Sequence, residues 1–190
     1  MKLAAKIVVM LIAGIVLGLL ATWFTIIRGN MPGGVSDGPW KTNLLIGSSG
    51  GSIYTRASVA VHGLLALNRS ETIYYTTLTD SDGTRLDGRC TYLITGRDPP
   101  ARWWSITVYG ADDFLIPNPA NRYSISKTSV TRDANGAFTA PVAPRPSGPN
   151  ALPTNGQKFA LTLRLYNPAA SVAADPAHVA LPSIKKVACS

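Results

Sequence analysis

From Ile7 to Ile27 the chain reads IVVMLIAGIVLGLLATWFTII, twenty-one residues without a charge. At 1.5 Å per residue this length matches a hydrocarbon core about 30 Å thick, so the run predicts one transmembrane helix. Beyond it, Asn30 to Gly38 (NMPGGVSDG) is glycine-rich and lacks periodicity, as expected of a short flexible tether. Tyr54, Ala57, Ser58, Val61, Leu64 and Leu65 then recur at helical spacing. They predict an amphipathic helix over Ser52 to Leu67, with Ser52 as its N-cap.

After Asn68 the texture changes to short runs rich in β-branched and aromatic residues, ETIYYTTLT, CTYLITG, RWWSITVYG, NRYSISKT and KFALTLRLY, separated by turn formers. Asp82-Gly83 and Asn135-Gly136 lie between such runs and signal type I′ hairpins, hence antiparallel pairing. In Phe159 to Tyr166 the leucines alternate with polar or small residues, as in a sheet with one buried and one wet face. A two-sheet sandwich follows, and the proline-rich stretch Ala140 to Pro153 reads as loops crossing its edge. The expected division is an anchor at 1–29, a tether at 30–40 and a β-sandwich domain at 41–190.

Charge sets the expected orientation of this segment. Lys2 and Lys6 precede the apolar run, so the positive-inside rule favours a cytoplasmic N-terminus and an exported remainder, although Arg28 on the far side reduces the asymmetry. A cleaved signal peptide has the same basic start, but its apolar region is usually about 7–15 residues and ends in small residues. Thr25, Ile26, Ile27 and Arg28 form a poor cleavage site, so retention as an anchor is expected, with Trp23 in the interfacial belt. Location at a bacterial inner membrane, with the domain in the periplasm, follows from this reading. Gly14 and Gly18 form a G-x-x-x-G pair compatible with weak helix dimerisation.

The chain carries 18 Lys and Arg against 10 Asp and Glu, so the exported part is basic. Its cations are scattered singly from Arg56 to Arg164, with only Lys185 and Lys186 adjacent. Without a basic run or aromatic-basic motif this is a solubilising surface, and no nucleic-acid partner is expected. Cys90 and Cys189 both fall on the exported side, where disulfides persist, and they are expected to pair. Two distant cysteines with His62 and His178 do not make a zinc site, so no metal and no cofactor are assigned. Asp80-Ser-Asp82-Gly83 is superficially like a calcium loop, but Arg85 stands where the EF-hand loop requires glycine; a hairpin turn accounts for it.

Candidate chemistry is sparse. Gly47-Ser48-Ser49-Gly50-Gly51 matches G-x-S-x-G between a short apolar run and a helix. In that reading Ser49 is the nucleophile, His178 the base and Asp112 or Asp113 the orienting carboxylate. The absence of repeated helical crossovers argues against a hydrolase fold, and a glycine-rich turn before a helix is the cheaper explanation. It also lacks the Lys-Ser/Thr of a P-loop. His62 reads as a catalytic base or, more simply, as a solvent-facing histidine.

Strand alternation over Arg102 to Tyr109 puts Trp104, Ile106 and Val108 in the core and Trp103 and Tyr109 on a more polar face. There they either stack on a sugar ring or hydrophobic ligand, or pack under the helix. Arg122 beside Tyr123 suits a carboxylate or phosphate, or else satisfies loop carbonyls at a structural corner.

The ordered set Tyr54-x-Arg56-Ala57, Glu71-x-x-Tyr74, Asp82-Gly83-x-x-Leu86-x-Gly88, Trp103-Trp104-Ser105-x-Thr107-x-Tyr109 and Asn118-Pro-x-Asn121-Arg122-Tyr123-Ser124 resembles the domain of unknown function 1214 family. The match continues through Leu152-Pro153 and Gly156 to Leu163-Arg164-x-Tyr166-x-Pro168, covering roughly Tyr54 to Pro168. The resemblance implies a jelly-roll type of β-sandwich, often found beside a companion domain of unknown function 1254, for which nothing here fits. It brings no catalytic residues. Ala151 stands where the family usually has tryptophan, which alters any pocket that ring shapes.

The expectation is a mainly β protein: an antiparallel, jelly-roll-like β-sandwich with one amphipathic helix, preceded by one transmembrane helix. It binds a ligand or partner at the outer membrane face, an envelope glycan or another envelope protein, through Trp103, Tyr109, Arg122 and Tyr123. A Ser49 hydrolase and a purely structural or assembly role are the alternatives.

Overall fold

A computed structural model describes residues 3–28, 33–61 and 66–189. The apolar run forms helix α1 (Leu3–Arg28), long and apolar enough to cross a membrane. Two sheets follow. The first contains β1 (Gly34–Asp37), β2 (Trp40–Asn43), β3 (Thr72–Thr77), β5 (Ala101–Gly110), β6 (Ser124–Ser126) and β9 (Phe159–Pro168), in the order β1-β2-β3-β9-β5-β6, antiparallel throughout. The second contains β4 (Cys90–Gly96), β7 (Phe138–Ala143), β8 (Leu152–Pro153) and β10 (Ser183–Cys189), in the order β10-β4-β7-β8. Helix α2 (Ile53–Val61) joins β2 to β3, and the short α3 (Ala170–Ala174), which periodicity did not reveal, follows β9.

The core is built from every second residue of the facing strands. Ile73, Tyr75, Trp104, Ile106, Leu163 and Leu165 of the first sheet, and Tyr92, Ile94, Val142 and Ile184 of the second, are all buried. Two ring pairs cross between the sheets. Trp104 stacks on Phe138 at 5.1 Å, and Tyr92 meets Phe159 edge-on at 5.8 Å. Buried polar tips find partners. Trp40 Nε1 donates to the Pro182 carbonyl at 2.7 Å, and Trp104 Nε1 to Asp98, which also accepts from Arg132. The Tyr75 hydroxyl donates to the Pro176 carbonyl, and burial pushes its pKa well up, with Asp37 and Asp175 acting in the same direction.

Four expectations are corrected. Gly34 to Asp37, placed in the tether, are strand β1. A two-residue Gly38-Pro39 connection, with Gly38 at φ 55°, closes its hairpin with β2. The two glycine turns are not type I′, because only Gly83 and Gly136 have positive φ. In each, an aspartate three residues earlier shapes the loop: Asp80 accepts from the amides of Asp82 and Thr84, and Asp133 from those of Asn135 and Ala137. Such side-chain to backbone bonds stabilise a wider turn that needs only one left-handed residue.

The proline-rich stretch is partly strand. Pro141 sits in β7 opposite Leu93, and β8 pairs only with Val142 and Ala143, so β7 is an edge beside Pro141 and no amide is required there.

The fourth correction concerns the helix. Ser52 Oγ accepts from the Thr55 amide, the expected N-cap bond; the helix is described over Ile53–Val61, and residues 66–68, at the far end of the expected span, are not helical. Gly63, Leu64, Leu65 and His62 lie outside the described residues. Among the described members of the expected stripe Ser58 is buried and Ala57 partly so, whereas Tyr54 and Val61 are at least half exposed; Thr55, outside the stripe, is buried. A Cβ on Gly51 would lie 3.6 Å from the Thr55 methyl and 3.0 Å from the Leu45 carbonyl oxygen.

Cys90 and Cys189 form a disulfide, as expected, closing a loop of sequence separation 99 between directly paired residues of β4 and β10. It ties the last strand of the second sheet to its neighbour. Replacing both cysteines by serine should lower unfolding stability by about 4–5 kcal/mol on the chain-entropy model. Urea titration of the oxidised protein against the double variant checks this; equal midpoints would show that the crosslink does not restrain the unfolded chain.

Candidate functional site

The outward positions of the six-stranded sheet are set by register. Tyr74, Arg164 and Ser105 stand abreast on β3, β9 and β5. Thr76, Thr162 and Thr107 form the adjoining row on one side, and Thr72, Tyr166 and Trp103 on the other. Their partners inward are the core residues, so period-2 alternation forces these side chains onto the opposite face.

Arg164 organises this face. Its guanidinium donates to the Tyr109 hydroxyl at 2.8 Å and to Thr107 Oγ1 at 3.3 Å. Its central carbon lies 5.3 Å from the Tyr109 ring centre and 5.9 Å from that of Tyr74, within cation–π range. Tyr74 is itself held, since its hydroxyl accepts from the Leu67 amide at 3.2 Å. These two hydrogen bonds use two of the five guanidinium donors, and among the described residues no carboxylate forms an ion pair with Arg164. Thr107 and Thr162 below it are buried. The result is a half-buried cation between two rings above a floor of hydroxyls.

The residues singled out from sequence fall into separate places. Trp103 and Tyr109 do share this face, but six residues apart they are separated by roughly 20 Å along the strand. Trp103 rests edge-on against Tyr166 at 5.2 Å, and Tyr109 engages Arg164. Arg122 gives one guanidinium nitrogen to the Gly148 and Pro149 carbonyls, at 2.9 and 2.8 Å, the corner arrangement. Tyr123 is half-buried, its hydroxyl donating to Asn121. The sequence reading missed Arg164 and Tyr74. A signal existed in the alternation of Phe159 to Tyr166, which puts an arginine in mid-strand on the wet side.

Ser49 is exposed in the turns before α2, and its carbonyl accepts from Arg56 at 3.2 Å. A cavity of about 190 Å³ beside it is lined by Ser48, Thr55 and Arg56 among others. His178 lies on the connection from α3 to β10, and its Nδ1 faces Asp175 at 2.9 Å. Asp112 accepts from the Phe114 amide at the tip of the β5–β6 connection, where Asp113 adopts a positive φ of 64°.

What stands defined is a two-sheet β-sandwich with a cationic, aromatic outer face. A family model described as "Protein of unknown function (DUF1214)" matches residues 71–170, and the chain belongs to this family. The crystal structure of the VPA0106 protein from Vibrio parahaemolyticus is similar, with a TM-score of 0.60 and 27% identity over 70% of this chain. The chain spans 35% of that protein's length. A structure of an uncharacterised protein from Burkholderia cenocepacia matches with a TM-score of 0.44 and 16% identity, over 62% of this chain and 29% of that one. No curated protein matches the chain.

The hydrogen bond that His178 Nδ1 donates to the Asp175 carboxylate, reinforced by that group's charge, raises the His178 pKa above its ordinary 6.5. A raised folded-state pKa means the pair stabilises the fold below about pH 6.5, and the contribution fades as pH rises through the folded value. An NMR titration should show His178 above 6.5 and Asp175→Asn returning it toward that value; an unchanged titration in the variant would remove Asp175 as the cause.

Proposed function

We propose that this chain is a non-enzymatic, membrane-tethered β-sandwich of the bacterial envelope. In this reading α1 anchors it in the inner membrane, the sandwich lies in the periplasm, and the outer face of the six-stranded sheet binds an anionic partner, an envelope glycan bearing carboxylates. The length of α1, the lysines before it and the Cys90–Cys189 pair support the location. One observation carries the binding reading: Arg164 is held between Tyr74 and Tyr109 with neutral hydroxyl partners, leaving donors for a carboxylate. Aromatic rings flanking a cation and a hydroxyl floor suit a sugar acid, whose ring stacks while its carboxylate meets the guanidinium. An envelope protein presenting acidic side chains is the second class of ligand that the same chemistry accepts.

The hydrolase alternative finds less support. Through Nδ1, His178 and Asp175 form the base–carboxylate half of a triad, but among the described residues no hydrogen bond joins His178 to Ser49, and the cavity beside Ser49 is lined without His178. A serine-directed fluorophosphonate should therefore leave Ser49 unlabelled in the folded protein, and labelling abolished by Ser49→Ala would reverse this reading.

The binding reading is tested with the full chain in detergent, titrated by calorimetry with uronic-acid oligosaccharides and with neutral oligosaccharides of the same length. Uronic-acid chains should bind, and Arg164→Gln should weaken them about 10-fold or more, because a charge-assisted hydrogen bond contributes about 1.5–3 kcal/mol. Equal binding of both chain types, or of wild type and variant, would sink the assignment.

A further inference from the structure

Helix α2 is amphipathic in the reverse of the usual sense. At 100° per residue, Ala60, Ile53, Ala57, Val61 and Tyr54 occupy one uninterrupted arc of roughly 120°. A helix on a globular domain ordinarily turns such a stripe inward. Here Ile53 is 75% exposed, Val61 58% and Tyr54 50%, while Thr55 and Ser58 on the opposite side are 2% and 4% exposed. The fully buried side chains of the helix are the hydroxyl-bearing Thr55 and Ser58, with Val59 partly buried beside them, while its most exposed large side chains are apolar or aromatic.

Geometry specifies what meets this stripe. Helix α1 contacts α2 directly. Five residues separate the end of α1 at Arg28 from the start of β1 at Gly34, a span of at most about 20 Å. Gly34 pairs with Asn43, the last residue of β2, and Ile53 follows ten residues on. The stripe is thus fixed close to the point where the apolar helix leaves the sheet-forming chain. Arg56 flanks one edge of the stripe and Tyr54 the other, a cation and an amphipathic ring of the kind that sit at headgroup level.

From these observations we infer that α2 lies in the headgroup region of the same bilayer that α1 crosses, with Ile53, Ala57 and Val61 turned toward the acyl chains. The inference rests on α1 being a membrane anchor. Three medium-sized side chains would bind lipid only weakly as a free peptide. Attached to an anchored chain they bind intramolecularly, so the high local concentration of lipid makes contact the prevailing state. The consequence is orientational: two lipid contacts, rather than one flexible tether, set how the sandwich stands on the membrane.

The test uses the full chain with its native disulfide intact, carrying a single added cysteine labelled with an environment-sensitive fluorophore. The label sites are Ile53→Cys or Val61→Cys on α2, Leu17→Cys within α1, and Val187→Cys, an exposed position on β10. Each protein is reconstituted in phosphatidylcholine–phosphatidylglycerol vesicles containing lipids with a nitroxide near the headgroup end of the chain. The expected result is blue-shifted, nitroxide-quenched emission at positions 17, 53 and 61, and aqueous, unquenched emission at 187. If 17 is quenched but 53 and 61 behave as 187 does, the anchor stands and the inference falls. Blue-shifted but unquenched emission at 53 and 61 would mean that protein, such as a second copy of the chain, covers the stripe, and would also overturn it. An aqueous label at position 17 would overturn the anchor reading itself.

Discussion

The alternation of β9 is the constraint on which the rest of the structure hangs. This strand lies between β3 and β5 in the middle of the six-stranded sheet, and it sends Phe159, Leu161, Leu163 and Leu165 inward while Thr162, Arg164 and Tyr166 face out. A slip of one residue would exchange the two sets, burying a guanidinium and exposing three leucines. The cost of an unpaired buried cation and of several lost apolar contacts makes that register untenable. Core and candidate site are therefore two faces of one decision, and the residues that hold the sandwich together also fix where Arg164 stands.

Once the register is fixed, the neighbouring strands determine the chemistry of the outer face. Tyr74 and Ser105 are in line with Arg164 because β3 and β5 pair with β9 at those positions, and the threonine row is generated in the same way. A charged residue in mid-sheet normally reaches for solvent or for an opposite charge. Here it is drawn over Thr107 and between two rings, a geometry that preorganises the guanidinium and, in the proposed binding, would limit the entropy lost to an anion.

Much of this was legible in the chain. Composition and length marked α1, periodicity marked the strands, and the compartment implied by α1 predicted the Cys90–Cys189 pair. What escaped depends on contacts that one-dimensional patterns do not contain. Strand β1 was hidden because Gly34 to Asp37 has tether-like composition and gains its structure only by pairing with β2. The Asp80 and Asp133 loops were misassigned because the carboxylate that shapes each turn lies outside the dipeptide that signals it. Arg164 was overlooked beside Arg122 because its rings come from strands ninety and fifty-five residues away, at Tyr74 and Tyr109. The orientation of α2 departs from the expected one in part: Thr55 joins Ser58 on the buried side while Tyr54 and Val61 are exposed, a result of tertiary contacts that periodicity does not contain.

The position of the site relative to the anchor follows from the same register. Lys41 pairs with Thr76, so along the antiparallel strands Asn43 falls level with Tyr74, and Gly34, paired with Asn43, enters the sheet in the row of Arg164. Three inter-strand steps of about 4.8 Å separate β1 from β9. With α1 in a bilayer and a leash of at most about 20 Å, the guanidinium stands within a few tens of ångströms of the headgroups. In the proposed setting a polymer lying along the membrane surface would be within its reach, whereas a ligand confined to a distant layer would not. The proposed anchor and the proposed ligand therefore constrain each other.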